Sequence, residues 1–280
     1  MTEVSPLLPP PVDPNPDPQP ARVVVSESAP APAPALMPAT ESDGIANAAP
    51  LDSLMRSAEI AECRLVPWGS NYTFAVTFGP DSGLPEDFIG IYKPRAGEQE
   101  LWDFPSGTLY HREYAAYLVS QRLAWDFVPP TVIRDGPHGV GSMSAYMEPL
   151  NGQSYPQLQR EYRWTFLQMA LFDLITNNAD RKGSHFFAGT DKRLWGIDHG
   201  LTFHPHPKLR TVIWDFCGQP IPPQLLDDLI HLYSDDELPD LLRPHLDPLE
   251  IEVFRGRIAR MVDAGTYPDL NPRRNVPYGW

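Results

Sequence analysis

Cysteine is nearly missing from this chain. Cys63 and Cys217 are the only two in 280 residues, far apart and in no metal-ligand spacing. Their scarcity rules out a disulfide framework and a cysteine-built zinc site, and it fits a reducing compartment. Positive charge is also short: 22 Lys and Arg face 36 Asp and Glu, for a formal charge of −14. That balance argues against sequence-independent binding to nucleic acid, whose affinity comes from cations on phosphates. It equally disfavours docking on anionic lipid surfaces. No apolar run approaches the roughly 18 residues of a spanning helix. Residues 1–6 show neither the basic nor the apolar region of a secretory signal. The expectation is a soluble cytoplasmic protein with no nucleic-acid partner and no integral membrane segment.

Proline, by contrast, is abundant and unevenly placed. Thirteen of the 34 prolines fall in residues 1–50, among Ala, Ser, Asp and Asn, with six acids and one Arg. Such a stretch can build neither helix nor central sheet, so residues 1–50 are expected to be a disordered, solvated tail. A ligand for a proline-binding module is the second reading, weakened by the absence of a flanking basic anchor. Beyond the tail, the hydrophobic fraction of 42% supports a sizeable core.

Patterning then changes along the chain. A short helix is expected over residues 51–61. Tyr72, Phe74, Val76 and Phe78 alternate with Thr73, Ala75 and Thr77, which is the period of a half-buried strand. A second strand covers residues 88–93, where Ile89, Ile91 and Lys93 share a face. An isolated lysine there snorkels to water. A strand lysine that contacts nucleotide phosphates instead requires a glutamate on a following helix. Glu113 meets that demand on a helix predicted over residues 108–123, whose Ala115, Leu118, Val119 and Leu123 form an apolar stripe. The aromatic segment 97–107 between them reads as an ordered loop at a cleft edge. Strands at 128–134 and 142–148 complete a β-rich N-lobe over residues 51–148. A helical C-lobe over 149–280 follows, with helices at 160–176, 222–233 and 248–264. In the first of these, Trp164, Leu167, Leu171, Leu174 and Ile175 fall on one stripe. Strands first and helices later predict a two-lobed α+β architecture.

Residues 177–200 carry the chemistry. Asn177-Asn178-Ala179-Asp180-Arg181 follows the long helix, and Ile197-Asp198-His199-Gly200 closes the next apolar run. Each aspartate alone is ordinary turn chemistry. With Lys93 and Glu113, in this order, they match a kinase-type phosphotransferase, in which one carboxylate orients the attacking hydroxyl and another binds the metal on the phosphates.

The set Ile91-Tyr92-Lys93-Pro94, Arg112-Glu113, Asn177-Asn178-Ala179-Asp180-Arg181 and Ile197-Asp198-His199-Gly200 resembles phosphatidylinositol 3- and 4-kinase-like proteins. It looks closest to a group of uncharacterised bacterial proteins of that class, over about residues 55–270. The resemblance implies a two-lobed protein-kinase-like fold and an ATP- and Mg²⁺- or Mn²⁺-dependent transfer to a hydroxyl acceptor of unknown identity. Lys93 would contact the ATP phosphates and Glu113 would hold it. Asp180, with Arg181 beside it, would serve the acceptor, and Asp198 would bind metal. Ser70 and Asn71 stand where the phosphate-covering loop belongs, without its full glycine pattern, and Met147 and Glu148 at the adenine-facing linker. Five residues after Asp180, where such kinases place a metal-binding Asn, the chain has His185. Imidazole suits softer metals than Mg²⁺, which leaves three outcomes: His185 coordinates Mn²⁺ or Mg²⁺ with Asp198, the metal relies on Asp198 and waters, or the site binds nucleotide without efficient transfer. A catalytically weak, pseudokinase-type binding module is therefore the alternative, and transfer of AMP rather than phosphate a third. A zinc site using His204 and His206 with His185 or His199 ranks below these. Lys208 and Arg210, with Arg181 and Lys182, form a basic cluster that would suit an anionic acceptor or the phosphates.

Overall fold

The computed structural model describes residues 51–67 and 71–278, so the expected tail and Ser70 lie outside the described residues. A five-stranded antiparallel sheet builds the first lobe, in spatial order β1 (Ile60–Val66), β2 (Thr73–Phe78), β3 (Gly90–Pro94), β5 (Gly139–Ala145) and β4 (Thr131–Gly136). In β3 the buried positions are Gly90, Tyr92 and Pro94, so Ile91 and Lys93 point to the opposite face. The buried face packs with Met55 of α1 (Leu51–Ser57), Val76, Val132 and Met143 into a small core. A glycine sets the approach of β5 to β3: a Cβ at Gly141 would fall on the backbone of Lys93. The helix expected over residues 51–61 ends at Ser57, and Ile60–Val66 form strand β1 instead, pairing with β2 through a register shift between Ile60 and Glu62.

Helix α2 (Leu109–Arg122) lies beside β4 and β5, while its Ala115, Ala116, Tyr117 and Val119 belong to a second, larger core. That core is built mainly from α4 (Arg163–Thr176), α5 (Pro223–Tyr233), α6 (Leu238–Leu242) and α7 (Pro248–Ala264), with the hairpin β6 (Phe186–Ala188) and β7 (Leu194–Gly196) against it. The single helix expected over 160–176 is two. α3 (Tyr155–Glu161) starts at a Ser154/Gln157 capping box, and the chain breaks at Tyr162 (φ −110°, ψ 34°) before α4 begins. Leu167, Leu171 and Ile175 of the expected stripe are buried, joined by Phe166, Met169, Ala170 and Phe172, whereas Trp164 at the start of α4 is 41% exposed. No described helix is long and apolar enough to cross a membrane.

Candidate functional site

Helix α4 ends at Asn177, whose left-handed backbone (φ 57°) stops the spiral and turns the chain towards the sheet. Its side-chain amide donates to the carbonyls of His204 and His206, both at 2.8 Å, and accepts from Lys208 N–H at 2.9 Å. One residue thus fixes both ends of the loop system. Asp180 follows, its N–H donated to Asn178 Oδ1 at 3.0 Å and its carboxylate 2.9 Å from Lys182 Nζ. After the β6–β7 hairpin the chain reaches Asp198, again left-handed (φ 63°).

These elements meet at Lys93. Its ammonium lies 2.5 Å from Glu113 Oε1 and 2.9 Å from Asp198 Oδ1. The other oxygen of Glu113 accepts the His199 N–H at 2.9 Å, so α2, β3 and the Asp198 turn are tied together. Burial works against the charge on Lys93, but Asp198 and Glu113 overcome it and hold the ammonium above its ordinary pKa. Reciprocally, the lysine beside it holds the carboxyl of the half-exposed Asp198 well below the usual carboxylate range. His185 Nε2 stands 3.4 Å from Asp198 Oδ2, and burial lowers its pKa although Asp198 opposes that shift. It is a neutral imidazole near pH 7, with a lone pair to offer.

Two cavities open from this cluster. One, of about 340 Å³, runs between the sheet and the hairpin, with Lys93, Glu113 and Asp198 at one end. Val66, Ile91, Ala145, Met147, Phe187 and Ile197 make its apolar walls. The other, about 100 Å³, is lined by the same three charged residues together with Asp180 and Asn71. An ammonium shared between carboxylates, at the end of an apolar slot, can receive the anionic part of a ligand whose flat apolar part fills the slot.

Most expected residues are brought together here: Lys93, Glu113, Asp180, Asp198, His185, Asn71 and Met147. Three expectations need correction. Glu148 has its side chain in solvent, and only its carbonyl is engaged, by Thr190 N–H at 2.9 Å, because it falls on the outer face of the linker. Arg181 does not face either cavity. It is wholly buried and turned back onto Asp173 of α4 at 2.9–3.1 Å. The basic cluster is likewise not a free surface: Lys208 is paired with Asp103 at 2.7 Å, Lys182 with Asp180, and Arg210 lies over the Tyr278 ring. Among the described residues no three His, Cys, Asp or Glu side chains are placed to hold a metal ion, those of His204 and His206 included.

Sequence reading missed two supporting groups. Glu98 accepts the Tyr110 N–H at 2.8 Å and so holds the first turn of α2. Asp173 is the second, and its signal is an aspartate within the otherwise apolar helix α4, since a buried carboxylate requires partners.

No family model matches the chain. The Golgi casein kinase, solved with Mn/ADP bound, superimposes with a TM-score of 0.50 at 15% identity, covering 79% of each chain. A second structure of the Golgi casein kinase gives the same score and identity, covering 79% of this chain and 78% of that one. At that identity the likeness establishes a protein-kinase-like fold. In sequence, protein Rv2133c of Mycobacterium tuberculosis (strain ATCC 25618 / H37Rv) is 36% identical over 225 residues, 67% of this chain and 81% of that protein. The chain belongs to the family of protein Rv2133c.

Proposed function

We propose that the protein is an ATP- and divalent-metal-dependent phosphotransferase of the phosphatidylinositol 3-/4-kinase-like class, acting on a hydroxyl acceptor. One observation carries this reading: Lys93 is shared by Glu113 and Asp198, and this trio lines both an apolar slot and a second cavity that holds Asp180. The shared fold with a kinase solved with Mn/ADP bound supports it.

In this reading the adenine lies between Ile91, Ala145, Met147 and Ile197, and Lys93 meets the phosphates. The acceptor oxygen attacks the γ-phosphorus, the bond to the ADP oxygen breaks, and the acceptor proton passes to Asp180. Asp198 and His185 are two protein donors, too few for a resident ion. They fit a metal that arrives with the nucleotide and completes its shell from phosphate oxygens and water. When bound, that ion neutralises charge developing on the phosphates. The imidazole favours Mn²⁺ over Mg²⁺.

Heat stability with added nucleotide tests the reading, since a ligand of the native state raises the melting temperature by mass action. Mn²⁺- or Mg²⁺-ATP is expected to raise it in the wild type and not in Asp198→Ala. The same shift in wild type, Asp198→Ala and Lys93→Ala would sink the assignment. A second reading, a pseudokinase-type binding module, is favoured by His185 in the metal position and by the Lys182–Asp180 pair. Nucleotide binding without hydrolysis, autophosphorylation or nucleotidyl transfer under either metal would select it. Intact-mass analysis separates phosphoryl from AMP transfer.

A further inference from the structure

Asp173 and Arg181 form an ion pair with no solvent exposure on either side chain, behind the cleft rather than in it. Both oxygens of Asp173 are fully used. Oδ1 accepts Arg181 Nε at 3.1 Å, Arg181 Nη2 at 2.9 Å and Asn178 Nδ2 at 3.0 Å. Oδ2 accepts Arg181 Nε at 3.0 Å and the Thr211 hydroxyl at 3.2 Å. A buried pair gives little stability over an apolar replacement, so so complete a set of partners calls for another explanation.

The far side of the guanidinium supplies one. Arg181 Nη1 donates to the carbonyl of Ile197 at 3.1 Å and to that of His185 at 3.4 Å, while Nη2 donates to His199 Nε2 at 2.8 Å. Ile197 and His199 are the residues on either side of Asp198, which holds a left-handed backbone unusual for a residue with a side chain. Arginine has no acceptor, so the His199 imidazole carries its proton on Nδ1 and is neutral. Through Asn178, the same Asp173 carboxylate also reaches the loop of Asp180, because Asn178 Oδ1 accepts the Asp180 N–H. One carboxylate is therefore the common anchor of the two aspartates that face the cleft.

We propose that Asp173 and Arg181 are positioning residues that hold Asp198 and Asp180 in register, an inference that rests on the phosphotransferase reading of the cleft. Neither touches a ligand, and both act through backbone that they pin. The consequence is specific. Losing the pair lets the Asp198 turn relax out of its left-handed conformation, while Lys93 and the slot walls on the sheet side, Ile91 and Ala145, stay in place.

The experiment is calorimetric titration of ADP, without metal and with Mn²⁺, into wild type, Asp173→Asn and Arg181→Lys. Arg181→Lys keeps a cation beside Asp173 but cannot reach Ile197 and His199 together. Circular dichroism and thermal melts show whether each variant is folded. The expected result is that metal-free ADP binding is retained and the tightening added by Mn²⁺ shrinks by about 10- to 100-fold, the usual cost of losing a group that orients a metal ligand. A lower melting temperature with the Mn²⁺-linked tightening intact would show a merely structural role and overturn the proposal. If Asp173→Asn does not fold, Arg181→Lys decides by the same criterion. A wild type that binds ADP under neither condition overturns the phosphotransferase reading, and this inference with it.

Discussion

Arg112 Nη2 and Glu250 Oε1 meet at 2.6 Å with side-chain exposures of 2% and 8%, joining the helix that carries Glu113 to the first turn of α7. The same guanidinium donates to the Thr202 carbonyl at 2.7 Å, and Glu250 also accepts the Asp247 N–H at 3.0 Å. Helix α2 is thereby fastened to the C-terminal helices as well as packed on the sheet. Glu113 is held where Lys93 needs it, rather than on a helix free to swing away.

Replacing Arg112 by Met leaves Glu250 buried without its cation. The expected loss is about 3–5 kcal/mol of unfolding free energy, measured by urea titration. The double variant Arg112→Met/Glu250→Gln is expected to lose clearly less, because no uncompensated charge remains. Equal losses in single and double variants would mean that packing, not charge, dominates the contact.

Lys93→Met removes the cation shared by Glu113 and Asp198. With Glu113 buried but Asp198 half exposed, stability without ligand is expected to fall by about 1–2 kcal/mol, and adding Glu113→Gln should return part of it by relieving the two carboxylates. A double-variant cycle in denaturant checks the sign of that coupling.

The contact between His111 on α2 and His245 predicts a pH dependence. Their Nδ1 atoms lie 3.0 Å apart, so one ring must be unprotonated there. Burial lowers both pKa values, that of His245 to about 4, with His111 and Arg56 acting against its charge, while Arg95 and Arg112 act on His111. Tyr114, edge-on to the His245 ring, and Tyr110, beside His111, are the other titratable groups at the contact. The unfolded chain takes up protons near 6.5 and the folded one only lower, so stability is complete above that value and falls as pH drops towards 4. Thermal melts from neutral to acid pH should show this decline, and His245→Gln should make it shallower.

His185→Asn replaces the imidazole beside Asp198 with an oxygen donor. The ratio of Mn²⁺- to Mg²⁺-supported ATP affinity is expected to fall, by about tenfold, since hard cations prefer oxygen. Calorimetry with each metal measures it. An unchanged ratio would show that His185 takes no part in metal choice.

The two-lobed order of elements was legible in the sequence because strand and helix periods separate cleanly at Tyr72–Phe78 and along α4. Lys93, Glu113, Asp180 and Asp198 were legible because each is polar where its element is otherwise apolar or turning. What escaped was directional. Arg181 follows Asp180, yet its side chain turns inward, and nothing local reports that a buried Asp173 eight residues earlier draws it there. Tyr162 ends one helix and opens another without a Gly or Pro to mark the break. The Lys208–Asp103 pair spans 105 positions, so a cluster that reads as basic along the chain is neutralised only in three dimensions.

Lys93 and Asp198 are likewise separated by 105 positions, with Glu113 between them. No fragment that lacks either lobe can assemble that trio, and closing so long a loop comes late in folding. A chain still emerging from the ribosome, complete through the sheet and α2, therefore has no formed cleft. Competence to bind a nucleotide is expected to appear only with the C-lobe in place, which makes nucleotide binding a reporter of complete folding.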